Sequence, residues 1–189
     1  MALTQLGPGA FPSGSVLQTV TAIDSEAALF TSTDSSGPET IVSAAITPSS
    51  TSSKVLITGF LSIGVLYSTF SGTLHWIGIR LFRGSTEIGM PSATDLDTMT
   101  TVHGATGDSA RATHSCIAGN GMMASKTTAV PFHFVDSPST TSATTYNIKG
   151  LIEHQGNQYT MIQNGAGYNY NNEEAQLATS NLTLMEIKG

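Results

Sequence analysis

The chain has 189 residues and a formal net charge of −6, and only 11% of it is charged, against about a quarter in an ordinary soluble domain. Ser and Thr make up about a quarter of it and Gly adds 19 residues, so hydroxyls and glycine rather than ions cover its surface. Scattered Lys and Arg exclude a phosphate-tracking nucleic-acid binder, no apolar run reaches the roughly 20 residues of a spanning helix, and a lone Cys116 excludes an intrachain disulfide.

The opening residues lack a basic start and an apolar core, so no secretory leader is expected. Residues 1–14 read as an extended arm: from Leu6 to Gly14 stand Pro8, Pro12 and three glycines, which neither a helix nor a sheet centre accepts. The remainder, 15–189, reads as a single domain. Val16, Leu17, Val20 and Ile23 among Gln and Thr predict a first strand. Glu26 to Phe30 fits a strand or a helical turn, and Thr40 to Ile46 a strand. The Ser/Thr turn from Pro48 to Ser53 launches the strongest apolar run, Lys54 to Tyr67, which reads as a strand buried mid-sheet.

Leu74 to Phe82 alternates with period two: Trp76, Gly78, Arg80 and Phe82 on one face, His75, Ile77, Ile79 and Leu81 on the other. Trp76 is expected in the core. Arg83-Gly84-Ser85-Thr86 predicts a hairpin returning through Glu87 to Met90. From Ser92 to Ala110 periodicity fades, which marks a functional or quaternary loop. Arg111 to Ala118, Ala129 to Val135, Tyr146 to Glu153, Tyr159 to Ile162 and a closing run through Leu182, Leu184 and Ile187 complete the strands. Asn164 to Asn172 reads as irregular. About eight to ten strands at this spacing indicate an all-β, antiparallel sandwich or barrel.

Enzyme chemistry finds little purchase. Gly107-Asp108-Ser109 echoes a lipase and esterase nucleophile motif, yet the strand-to-helix context and a suitably placed Asp and His are missing. His114 and Cys116, two apart on a strand, share a face and with His103 or His75 would make a soft metal set; satisfied core or interface histidines are the favoured reading. Asp95, Asp97 and Asp108 lack a glycine-turned calcium loop. No catalytic residue, metal or cofactor is therefore assigned. Tyr159, Tyr168 and Tyr170 among Asn157, Asn164, Asn169 and Asn172 join flat rings to amides, a combination suited to a glycan or polar protein surface, or equally to a subunit contact.

Four segments resemble pieces that recur in small virion surface proteins and fibre tips of aquatic, cyanophage-type tailed bacteriophages: Ile46 to Ile57, Arg80 to Gly89, Asp136 to Tyr146 and Asn181 to Gly189. The resemblance implies a jelly-roll-like sandwich, a homotrimer, and display on a virion surface after assembly in the host cytoplasm. Two roles stay open. One is a capsid decoration protein whose arm, through Leu6, Pro8, Phe11 and Pro12, docks on the major capsid protein or a tail protein. The other is a tail-fibre tip or receptor-binding adhesin that meets a host cell-surface glycan through Tyr168, Asn169, Tyr170 and Asn172. The short stretch before the domain, with no shaft, tilts the reading toward decoration. Nucleic acid and membrane insertion are not expected, and a secreted lectin or hydrolase is the remote alternative.

Overall fold

In the computed structural model the apolar run becomes β4 (Lys54–Leu66), a strand of 13 residues that organises everything else. The structure describes residues 10–30, 39–66, 75–89, 114–118, 127–153, 160–166 and 176–189. Around β4 stand β1 (Val16–Asp24), β2 (Ala28–Phe30), β8 (Thr128–Asp136), β10 (Thr160–Gln163) and β13 (Ser180–Ile187). A second sheet holds β3 (Glu39–Ile46), β5 (His75–Arg83), β6 (Thr86–Ile88), β7 (His114–Ala118) and β9 (Thr144–Glu153). A two-residue ladder, β11 (Gly165–Ala166) with β12 (Gln176–Leu177), stands apart.

All pairings are antiparallel. Several strands share a lane. β13 pairs with the first half of β4, Lys54 to Phe60, and β10 with its last residues, Ile63 to Leu66, while β8 takes the other edge. Outside them β1 pairs with β13 and β2 with β10. The first sheet is thus four lanes wide: β1/β2, β13/β10, β4, β8. The second runs β3, β9, β5 and then β6/β7, which divide the far edge of β5. Followed in chain order, the steps from β2 to β3, β3 to β4, β4 to β5, β7 to β8, β8 to β9 and β9 to β10 cross between sheets, while β1 and β2 share the first sheet and β5, β6 and β7 the second. That is the winding of a jelly roll.

The core follows from alternation. Val55, Ile57, Leu61 and Ile63 of β4 point inward beside Leu182, Leu184, Val130 and Phe132, and meet Val42, Ile46, Ile79, Leu81, Tyr146 and Ile148 of the second sheet. Glu26 to Phe30 resolves as a strand rather than a helical turn. The stretch read as irregular from Asn164 begins with paired β11, because the chain leaves β10 and is caught by β12. Trp76 lies in β5, although its side chain is outside the described residues.

Candidate functional site

Two regions of the sandwich are held together by buried polar groups. At one end lie the start of β4 and the ends of β3, β5, β8 and β13, and two buried acids tie them together. Glu186, 1% exposed, accepts from Ser49 N (2.7 Å) and Ser49 Oγ (2.6 Å), from Ser53 Oγ (2.7 Å) and from Gln18 Nε2 (2.6 Å). Burial alone would raise its pKa, but donated hydrogen bonds from Ser49, Ser53 and Gln18 outweigh that and hold the carboxyl below the ordinary range. The Ser/Thr turn is thus a cradle for a carboxylate on the last strand.

Asp136, closing β8, accepts from Arg83 Nη1 at 3.1 and 3.0 Å and from the Tyr146 hydroxyl at 2.7 Å. Burial, then the hydrogen bond and charge of Asp136, pushes the Tyr146 phenol far above its usual range, so it stays protonated. Gly84 makes the intervening turn at φ 58°, a conformation suited to glycine, and donates to Thr145 O at 2.8 Å. The same end holds residues 10–15. Gly14 N donates to Lys188 O and Lys188 N to Ser15 O, both at 2.8 Å, and Lys188 Nζ reaches Phe11 O. A Cβ on Gly189 would overlap the Ser52 carbonyl.

Part-way along β4, in the gap between Gln163 opposite Ile63 and Asn181 opposite Phe60 where β10 stops and β13 begins, Asn164 forms a buried hub. Its side chain is 0% exposed and its φ is 55°, a left-handed turn that Asn tolerates. Nδ2 donates to the carbonyls of Asp24 and Glu26, both at 3.0 Å, and Oδ1 accepts from Ser180 Oγ at 2.6 Å. Its backbone N donates to Ser62 O (2.8 Å) and its O accepts from Ala178 N (2.9 Å). Next to it, buried Gln163 donates to Asp24 Oδ2 and, across to the second sheet, to Ile41 O at 3.2 Å. Ser62 closes the network through Ser180 Oγ and Thr179 O. Every polar group of Asn164 is satisfied, as a buried amide requires. The hub is the footing on which β11 and β12 stand, flanking residues 167–175.

These arrangements sort the residues singled out from sequence. Asn164, grouped with the exposed recognition amides, is instead a structural hydrogen-bonding centre. Its own Asn-Gly dipeptide was the available signal, since it marks a turn rather than a contact surface. Phe11 and Pro12 lie at the termini end, Phe11 37% exposed. Leu6, Pro8, Tyr168, Asn169, Tyr170 and Asn172 lie outside the described residues, as do Tyr159, Asn157, His103, Asp95, Asp97 and Asp108. His114 and Cys116 pair with Ile79 and Ile77, so the expected shared face holds for the backbone; their side chains are outside the description. Among the described residues no three of His, Cys, Asp and Glu gather as a metal set. Glu186 and the Asp136–Arg83–Tyr146 group were missed as acids with partners, because their donors come from turns distant in sequence.

No protein-family model matches the chain, and neither does any curated protein. Solved structures similar to it include the infectious bursal disease virus Gx strain, 16% identical with a TM-score of 0.40 over 100% of this chain and 43% of that one. The T13 particle of that virus is 13% identical, TM-score 0.42, with 40% of its chain covered. The VP2 subviral particle is 14% identical, TM-score 0.38, with 42% covered. This chain spans about two fifths of the length of those chains.

Proposed function

We propose that this protein is a non-enzymatic structural component of a bacteriophage virion, a trimeric knob on the particle surface that decorates the capsid. The observation that carries the reading is a segregation along the sandwich. The four segments that resemble phage virion proteins meet at one end: the Ser/Thr turn and the last strand join through Glu186, and the hairpin and the turn before β9 join through Asp136. The arm residues Phe11 and Pro12 lie there as well, which suits an attachment end in contact with a capsid or tail protein. Of the stretches without the shared pattern, 92–128 and 164–172, Thr128 stands opposite Ile63 and Asn164 donates to Ser62 O, both away from that end. Such a division supports a shared docking end, with the residues particular to this chain away from it.

The test is the number of copies per purified particle, measured by quantitative mass spectrometry against the major capsid protein. A number comparable with the capsid protein is expected. Absence from purified particles would overturn the virion reading. A small multiple of the tail symmetry would instead assign the protein to a fibre tip or receptor-binding adhesin. That second reading predicts weaker host adsorption on replacing Tyr168 and Tyr170 by Ala.

A further inference from the structure

We infer that the outer face of the first sheet is an interface in which this chain packs against another copy of itself. The register settles which side chains look outward, because directly paired residues share a face. Met185, Leu56 and Val135 form one outward row across β13, β4 and β8. Ile23, Phe60 and Pro131 belong to another, four residues further along β4, with Asn181 between Ile23 and Phe60. Between them runs a polar row, in which Thr21 Oγ1 and Thr183 Oγ1 are 3.2 Å apart, Thr58 lies alongside and exposed His133 ends the row on β8.

Exposure follows the same division. Five large apolar side chains are exposed among the described residues: Phe11, Val16, Ile23, Leu29 and Val135. Four stand on this face by register, and Phe11 belongs to the arm pinned beside it through Lys188. Ile23 is 72% exposed and Val135 49%. Among the described residues the rows carry no Asp, Glu, Lys or Arg, and Lys54 stands only at the rim, opposite Ile187. The second sheet has the contrary character: Arg80, Glu87 and Lys149 lie on its outer face, with Lys149 Nζ 4.5 Å from the Phe82 ring centre.

The occupant follows from this contrast. A charged partner surface would bury unpaired ions against the rows, at a cost of several kcal/mol. Among the described residues, the broad surface that matches is the same face of another copy. A rotation axis along the strands keeps each row at its own height, so apolar rows meet apolar rows and polar rows meet polar rows. Three copies about that axis is the order taken from the proposed function, and only that number rests on it. Four strands by about nine residues span roughly 19 by 30 Å. A patch of that size is at the upper limit of what monomers leave open, and it supplies a large part of the roughly 800 Å² per partner of a stable interface.

The test is the mass of the full chain in solution by sedimentation velocity at about 10 μM, a concentration that resolves association of micromolar strength. Two face variants, Ile23→Glu and Val135→Glu, alter side chains already exposed in the single chain, so folding is spared and circular dichroism verifies it. Ala45→Glu, on the outer face of the second sheet, is the control. Wild type and Ala45→Glu are expected to sediment as a multiple of the chain, and each face variant to associate at least ten-fold more weakly. Face variants that keep the wild-type mass would overturn this interface while leaving self-association intact. A monomeric wild type would overturn both, whereas the virion reading is decided separately by particle composition.

Discussion

Replacing Asn164 by Ala removes three side-chain hydrogen bonds from a fully buried position, those with the carbonyls of Asp24 and Glu26 and with Ser180 Oγ. At about 1 kcal/mol net for each bond, with about 1 kcal/mol more for an Ala held at positive φ, the loss is roughly 4 kcal/mol. For a chain of this size that lowers the melting temperature by roughly 8 to 16 °C. The sharper comparison is Asn164→Asp, which preserves shape but turns a donor into an anion facing two carbonyl oxygens 3.0 Å away. Near the hub Asp24 adds a second carboxylate, so the new acid has a raised pKa and loses the most stability when ionised. Thermal unfolding at pH 7 should therefore rank wild type above Ala and Ala above Asp, with the Asp variant recovering as pH falls through its own titration. An Ala variant that melts within about 2 °C of wild type, or an Asp variant as stable as Ala at neutral pH, would refute the buried-hub argument.

Glu186 has a folded pKa below its unfolded one, so its stabilisation is present above the ordinary carboxylate range and is lost as pH falls through the folded value; urea midpoints should drop on acidification, and Glu186→Gln should flatten that dependence. Tyr146→Phe keeps the ring in the core and deletes the 2.7 Å bond to Asp136, costing about 1.5 to 3 kcal/mol in chemical denaturation. The phenol of Tyr146 stays protonated in the folded chain, so an alkaline absorbance titration should register it only on unfolding. Gly59→Ala would drive a Cβ into the Asn181 carbonyl and to 2.9 Å from the Phe132 ring; a loss of about 1 to 3 kcal/mol is expected, read as a lower melting temperature.

Strand positions were legible because period-two alternation is local. Thr40 to Ile46, Lys54 to Tyr67 and Tyr146 to Glu153 were each within two residues of the strands observed. What local pattern cannot convey is which short strands share a lane: β10 and β13 look like separate elements, and only their common partner β4 shows them to be one interrupted edge. The interruption itself depends on Asn164, whose partners Asp24, Glu26, Ser62 and Ser180 come from three separated parts of the chain. An amide in a Tyr- and Asn-rich stretch reads as a contact residue until those partners are known. Likewise Ser49 and Ser53 read as generic turn residues, although their spacing lets a hydroxyl and an amide converge on Glu186.

On either side of residues 167–175 in sequence, the β11–β12 ladder pairs Gly165 with Leu177 and Ala166 with Gln176, and Ala178 N donates to Asn164 O. Both ends of the excursion are therefore closed by main-chain hydrogen bonds that depend on no side chain beyond them. The consequence is modularity. A foreign peptide grafted between Ala166 and Gln176 would join the scaffold through an unchanged seam, which makes this position the natural cassette for displaying sequences in place of the native one.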